Sequence, residues 1–226
     1  MNIGIIGSGN IGSTLARYLT NLGHQVIIAN SRGPESLREI ASETGATPVT
    51  AEEAAGAKDL VIIAIPEKAI VNLPIAILAA SKAIIVDAGN YYPSRDGQNA
   101  DIEGGSTDSE WVASVLGHPV IKAFNNIVAS SLASKAVPVG SENRIALSVA
   151  GDSEQEKRVV MELIDMIGFD PIDGGPLCES WRQQPGEPAY CQDLDKEALK
   201  SALQKADLSQ RAANLAKADE QARPYL

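Results

Sequence analysis

Hydrophobic positions along the chain fall into short, nearly continuous apolar runs separated by stretches with helical spacing. Residues 2–7 form the first run. After it, Ile11, Leu15, Tyr18, Leu19 and Leu22 recur at the intervals of one helical face, and Gly23 suits the C-terminal cap. A second apolar run follows at 25–29. The alternation then continues, with a helix from Pro34, a favoured first-turn residue, to Thr44, and a strand at 46–49. Thr50 with Glu53 three residues on reads as a capping box opening the next helix. A strand at 59–65 is ended by Pro66, two short helical pieces fill 67–81, and a strand spans 83–87. The spacing next predicts a helix over 108–116, a strand at 119–124, a helix over 125–134 and a strand at 144–151. An amphipathic helix at 153–167, capped by Ser153 with Glu156 in its first turn, and a strand at 170–172 close the series.

Apolar runs of this kind suit strands covered on both faces, and their alternation with helices predicts a mostly parallel sheet between two helical layers. The expected architecture is a doubly wound α/β fold of Rossmann type with added strands. Residues 1–176 form its nucleotide-binding domain. Residues 177–226 carry an irregular segment and a long helix at 195–220, with Leu199, Leu203 and Ala206 on one stripe. That helix packs back on the domain or crosses to a second copy; the sequence leaves both open. Between the fifth strand and the helix at 108, residues 89–105 are rich in Gly, Asn, Asp, Tyr and Pro. They read as a long irregular loop, a kind that is commonly functional.

The first strand runs into Gly7-Ser8-Gly9-Asn10-Ile11-Gly12, a G-x-G-x-x-G set opening a helix. The glycines of this motif serve a tight turn, close backbone approach to a pyrophosphate, and helix–strand packing. The second strand ends in Asn30-Ser31-Arg32, where an NAD site carries an acid for the ribose 2′-hydroxyl. A carboxylate there repels a 2′-phosphate and Arg32 attracts one, so the pattern selects NADP(H).

Composition narrows the classes. Of 226 residues 44% are hydrophobic but only 4% aromatic, so the core is aliphatic, and a formal charge of −10 argues against nucleic acid and anionic membrane as partners. Two cysteines, two histidines and no metal-ligand spacing give no metal site. A first strand beginning at the N-terminus and apolar runs too short for a bilayer lead us to expect a cytoplasmic protein with reduced thiols.

In an open α/β sheet the ligand lies beyond the carboxyl ends of the strands. The residues there are Gly7–Ile11, Asn30–Arg32, Ala64-Ile65-Pro66, Ala88-Gly89-Asn90 with Tyr91 and Tyr92, and Phe124-Asn125-Asn126. Asn90, Asn125 and Asn126 either bind a carboxamide or carbonyl or serve turns and caps. Lys122 is a candidate donor or a snorkelling strand lysine. Lys122, Asn125 and Tyr91 are the candidate catalytic groups. No acid–base constellation stands out, which favours hydride transfer between two redox cofactors over reduction of a ketone, where a proton donor is needed.

Five segments resemble one known family: Ile6–Gly12, Asn30–Leu37, Asn90–Gly97, Lys122–Ile127, and Gly175–Leu177 with Glu179–Arg182. They are similar to the NADP-dependent oxidoreductases of the deazaflavin coenzyme F420 family. Lys122–Asn125 is also similar to the oxidoreductase domain of the STEAP metalloreductases. The resemblance covers about residues 1–192 and implies a dimeric Rossmann protein that moves hydride between NADP(H) and a deazaflavin or flavin. It implies Ser8, Asn10 and Ile11 on the pyrophosphate, Ser31 and Arg32 on the 2′-phosphate, and Ile65 and Pro66 along the cofactor. The acceptor would stack between the Asn90 loop and Trp181-Arg182, with Tyr91, Asn125 and Asn126 as further contacts. Two alternatives are an NADPH-dependent reductase of a small ketone, imine or quinone, and an NADP(H) sensor without turnover.

Overall fold

The computed structural model describes residues 1–225. Six strands form a parallel sheet: β1 (Asn2–Ile6), β2 (Gln25–Ala29), β3 (Thr47–Pro48), β4 (Leu60–Ile63), β5 (Ile84–Asp87) and β6 (Ile121–Lys122). Their order is β3-β2-β1-β4-β5-β6, so the chain turns back across the sheet between β1 and β4. That reversal opens the crevice in which doubly wound sheets hold their ligands. Around it lie α1 (Asn10–Asn21), α2 (Arg38–Thr44), α3 (Ala51–Ala55), α4 (Ile75–Ala79), α5 (Pro93–Asp96), α6 (Ala100–Glu103), α7 (Asp108–Leu116) and α8 (Ala129–Ser134).

A second parallel pair, β7 (Ala146–Val149) and β8 (Asp170–Asp173), is connected by α9 (Glu154–Ile167). An antiparallel bridge between Lys122 and Ala150 joins it to the edge of the main sheet. Successive strand residues face opposite layers. Ile3 and Ile5 pack with Leu15, Leu147 and Phe169 on one side, whereas Ile6, Val61, Ile63 and Val112 belong to the other. Because both faces are covered, β4 is buried along its whole length.

The expected elements are present, with local differences. The helix expected from residue 125 starts at Ala129 with Val128 as its N-cap, so neither Asn125 nor Asn126 caps it. β6 stops at Lys122 because Phe124 takes φ 63°, a left-handed conformation incompatible with a continuing strand. The 89–105 loop contains two single helical turns, α5 and α6. A 3-10 helix, Leu177–Gln183, lies within the irregular segment.

The C-terminal helical stretch is divided. α10 (Lys196–Lys205) and α11 (Arg211–Ala222) are separated by residues 206–210, where Asp207 caps a short 3-10 turn. α10 packs back on its own chain, Leu199, Ala202 and Leu203 closing over Ala146, Ile172 and Ala189. Among the described residues no helix is long and apolar enough to cross a membrane.

Candidate functional site

The site starts at the β1–α1 turn. Gly7 has φ 119°, and a Cβ there would lie 2.1 Å from the Ala64 carbonyl oxygen. A Cβ on Gly12 would lie 2.0 Å from the Gly7 carbonyl oxygen, so α1 and β1 approach too closely for any side chain. Gly9 differs: a Cβ there would meet nothing within 4 Å. It is also the N-cap of α1 and provides no side-chain hydrogen bond to the helix amides. The open space at Gly9 and the uncapped helix N-terminus fit an anionic pyrophosphate, which would accept from these amides and sit in the positive end of the helix dipole.

At the end of β2, Asn30 ties this turn to the next. Its Nδ2 donates to Ser8 Oγ at 3.2 Å and Ser36 Oγ at 3.0 Å, while Oδ1 accepts from the Arg32 amide at 2.9 Å. Asn30 therefore fixes the loop that presents Ser31 and Arg32, both exposed.

Beyond β1, β4 and β5 lies a cavity of about 430 Å³. One side of it is lined by Gly9, Asn10, Ile11, Ala64, Ile65, Pro66, Gly89 and Asn90, residues that the sequence places together at the carboxyl edge of the sheet. Asn125 lines it too, within a closed amide network. Asn125 Nδ2 donates to Asn90 Oδ1 at 3.1 Å and to the Gln183 carbonyl at 2.7 Å, and Gln183 Nε2 donates to Asn125 Oδ1 at 2.7 Å. Asn90 Nδ2 in turn donates to the Asn125 carbonyl at 3.1 Å. The left-handed turn at Phe124 makes this network possible by swinging Asn125 out of the strand direction.

Tyr92, expected at this edge from the sequence, lines the cavity as well, together with Arg95 of the Asn90–Gly97 segment; Tyr190, Cys191 and Tyr225, also in the lining, carried no recognisable sequence signal. The Tyr92 and Tyr190 hydroxyls lie 2.7 Å apart. Burial raises both phenols above their ordinary pKa, so both are protonated at neutral pH. Arg95 covers the Tyr92 ring, its guanidinium carbon 5.4 Å from the centroid, and donates to the Asn90 carbonyl.

Behind the Gly89–Asn90 turn is a buried charge cluster that the sequence did not reveal, because its members are spread from residue 67 to residue 122. Lys122 is 0% exposed; its Nζ lies 3.0 Å from Asp87 Oδ2 and donates to the Gly89 carbonyl at 2.7 Å. Ser109 Oγ donates to Asp87 Oδ2 at 2.6 Å and the Gly89 amide to Asp87 Oδ1 at 2.9 Å. Burial alone would lower the Lys122 pKa, but Asp87, Asp108 and Glu67 together hold it above its ordinary value. Glu67 is buried with neither carboxyl oxygen hydrogen-bonded; burial first, then the Asp87 charge, push its pKa well upward. Lys122 thus neither snorkels nor faces the cavity: it braces Asp87 and the turn above it.

Four other expected contacts lie elsewhere. The Tyr91 hydroxyl donates to the Gly97 carbonyl or Glu103 Oε1 and accepts from the Asn99 amide, so it staples the 89–105 loop and is not in the cavity lining. Asn126 is buried outside the lining, its backbone carbonyl accepting from the Cys191 amide. Trp181 is buried under Arg182, whose guanidinium carbon sits 4.5 Å from the Trp181 ring centroid and whose Nε bonds Glu179 at 2.6 Å. Arg182 also reaches the Leu203 and Ala206 carbonyls and borders a different cleft, with Gly174 and Lys200. The 177–183 segment acts on the cavity through Gln183.

Comparison with known proteins agrees with this geometry. Residues 2–91 match the family model described as NADP oxidoreductase, coenzyme F420-dependent. The hypothetical protein SMa0349 from Sinorhizobium meliloti is 36% identical, with 87% of this chain and 96% of that one aligned and a TM-score of 0.73. Residues 2–91 thus form a domain of the coenzyme F420-dependent NADP oxidoreductase family. The fold is shared with an Arthrobacter sp. FB24 protein assigned as an F420-dependent NADP reductase, 23% identical over 80% of this chain and 87% of that one, TM-score 0.65. Rat metalloreductase STEAP3 is 27% identical over 179 residues, 79% of this chain and 34% of that protein. The chain spans 43% and 34% of the length of the curated relatives it matches. The family match covers the glycine turn, the strand ends and Asn90 on that side of the cavity.

Proposed function

We propose that this chain binds NADP(H) across the carboxyl edge of its sheet and catalyses hydride transfer between it and a flat ring acceptor of the deazaflavin or flavin type. One observation carries the reading: the uncapped N-terminus of α1 and the open space at Gly9 lead directly into a cavity walled by small and aromatic residues. NADPH supplies the hydride when bound. Gly7, Ser8, Gly9, Asn10 and Ile11 hold the pyrophosphate, Ser31 and Arg32 the 2′-phosphate, and Ala64, Ile65 and Pro66 give the nicotinamide end an apolar bed. Asn90 and Asn125, locked together, orient the reacting rings. Tyr92, Phe124, Tyr190 and Tyr225 offer faces for an aromatic acceptor.

A small ketone, imine or quinone is the second reading, favoured by the paired hydroxyls of Tyr92 and Tyr190 on the wall. Anaerobic mixing with NADPH and oxidised F420, with FAD and a small quinone in parallel, separates the two. Rapid loss of NADPH absorbance with F420 supports the first. Turnover confined to the quinone supports the second, and tight NADPH binding with no turnover of any of them contradicts both.

A further inference from the structure

A second cavity, of about 380 Å³, adjoins the cofactor cavity. Tyr92, Tyr190, Cys191 and Ala222 line both, so the tyrosine pair is the partition between them. The outer cavity also contains Gln192, Gln221 and Glu187. Glu187 is 3% exposed, with Oε1 accepting from Asn214 Nδ2 at 3.3 Å and Oε2 unpartnered. Two phenols 2.7 Å apart share one hydrogen bond, which leaves the second hydroxyl proton free for another acceptor. A group able to give up a proton therefore faces the cofactor cavity, with a replacement proton directly behind it and a buried carboxyl on the outer side.

We propose that Tyr92 and Tyr190 form a proton relay from the outer cavity to the acceptor, and that the substrates are those that take up one proton with the hydride. This rests on the reading of the inner cavity as the hydride-transfer site. The step balances: NADPH loses a hydride to the acceptor and becomes NADP⁺, and the Tyr92 O–H bond breaks as its proton bonds the acceptor heteroatom. Tyr190 then reprotonates Tyr92 and recovers its own proton from the outer cavity. Arg95, over the Tyr92 ring, favours the transient negative charge on that phenol. Ketones, imines, quinones and flavin-type rings all meet the requirement; an acceptor that takes hydride alone does not use the relay.

The test compares wild type, Y92F and Y190F for anaerobic NADPH oxidation by F420, in H₂O and D₂O, with NADPH affinity measured separately by fluorescence. NADPH affinity should be unchanged in both variants. kcat should fall by about 10²-fold or more in Y92F, the range for loss of a positioned proton donor, and less in Y190F. The wild-type solvent isotope effect should disappear in Y92F once proton delivery is uncoupled from the relay. If wild type binds NADPH but does not reduce F420, the ring-acceptor reading fails by itself, and the same comparison is made with menadione, which also needs the proton. Unchanged kcat and solvent isotope effect in Y92F would overturn the relay, as would a loss of turnover fully matched by loss of NADPH binding.

Discussion

Replacing Lys122 by Met removes the single ammonium from a buried group that includes Asp87, Glu67 and Asp108. Breaking a buried ion pair from one side costs about 3–5 kcal/mol, since the remaining charge stays desolvated. Asp87 keeps two donors, Ser109 Oγ at 2.6 Å and the Gly89 amide at 2.9 Å, which places its share near the low end. The Gly89 carbonyl, bonded by Lys122 at 2.7 Å, also loses that partner, adding about 1 kcal/mol. The expected loss is about 4 kcal/mol, or about 8–16 °C in Tm at the scaling for a chain of this size. Urea and thermal unfolding at pH 7 measure it. The double variant K122M/D87N removes the stranded carboxylate and should recover about half of the loss, as pair replacement is far less costly than pair breaking. A K122M loss below about 1 kcal/mol, or a D87N change that adds a full cost of its own, would refute the assignment of this pair as the brace of the turn.

Arg32→Ala should weaken NADPH binding by about 1–3 kcal/mol and leave NADH binding nearly unchanged, checked by calorimetric titration of both. Gly9→Ala, at extended φ −72° with open space around the new methyl, should change unfolding free energy by no more than about 0.5 kcal/mol yet weaken NADPH binding. Gly7→Ala should do both kinds of damage, because its φ of 119° and the nearby Ala64 carbonyl oxygen oppose any Cβ. Glu67→Gln should stabilise the fold at pH 8 and not at pH 4. The native carboxyl titrates well above its unfolded value of 4.5, so the folded state binds the extra proton and stability falls as pH rises from there through the native pKa. Equal effects at the two pH values in thermal scans would contradict this. Asp173 behaves oppositely. Burial opposes its ionisation, but the hydrogen bonds from Lys157 and the Gly175 amide outweigh it and lower its pKa below 3.8. Its contribution is therefore present above pH 3.8 and lost as pH falls through the native value, and D173N should flatten the acid limb of the stability curve.

Local patterns made the sheet legible. β1, β2, β4 and β5 are short runs rich in Ile, Val, Leu and Ala, and Thr50 and Ser153 mark the starts of α3 and α9. The convergence of the glycine turn and the strand ends on one cavity was equally readable, because these are local features that the topology then brings together. What stayed hidden depends on long-range packing. Lys122 looks like an ordinary strand lysine until Asp87, Glu67 and Asp108 converge on it. Tyr91 and Tyr92 are neighbours in sequence but point to different places: one locks its own loop, while the other meets Tyr190 almost a hundred residues on. Trp181 and Arg182 have the composition of an aromatic clamp, yet the 3-10 helix that carries them turns Arg182 toward α10 and leaves Gln183 to reach Asn125. The break at residues 206–210 was concealed by the Ala-, Lys- and Gln-rich composition on either side; the local signal is Asp207, which caps the turn.

The proposed function centres on direct hydride transfer from NADPH to a deazaflavin-type ring in the inner cavity. NADPH carrying deuterium at C4, prepared in both stereochemical forms and mixed anaerobically with enzyme and F420, tests it by mass spectrometry of the reduced product. Full transfer of the label from one form and none from the other is the predicted result. Label lost to solvent from both forms, or no reduction of F420 while NADPH is bound, would contradict it.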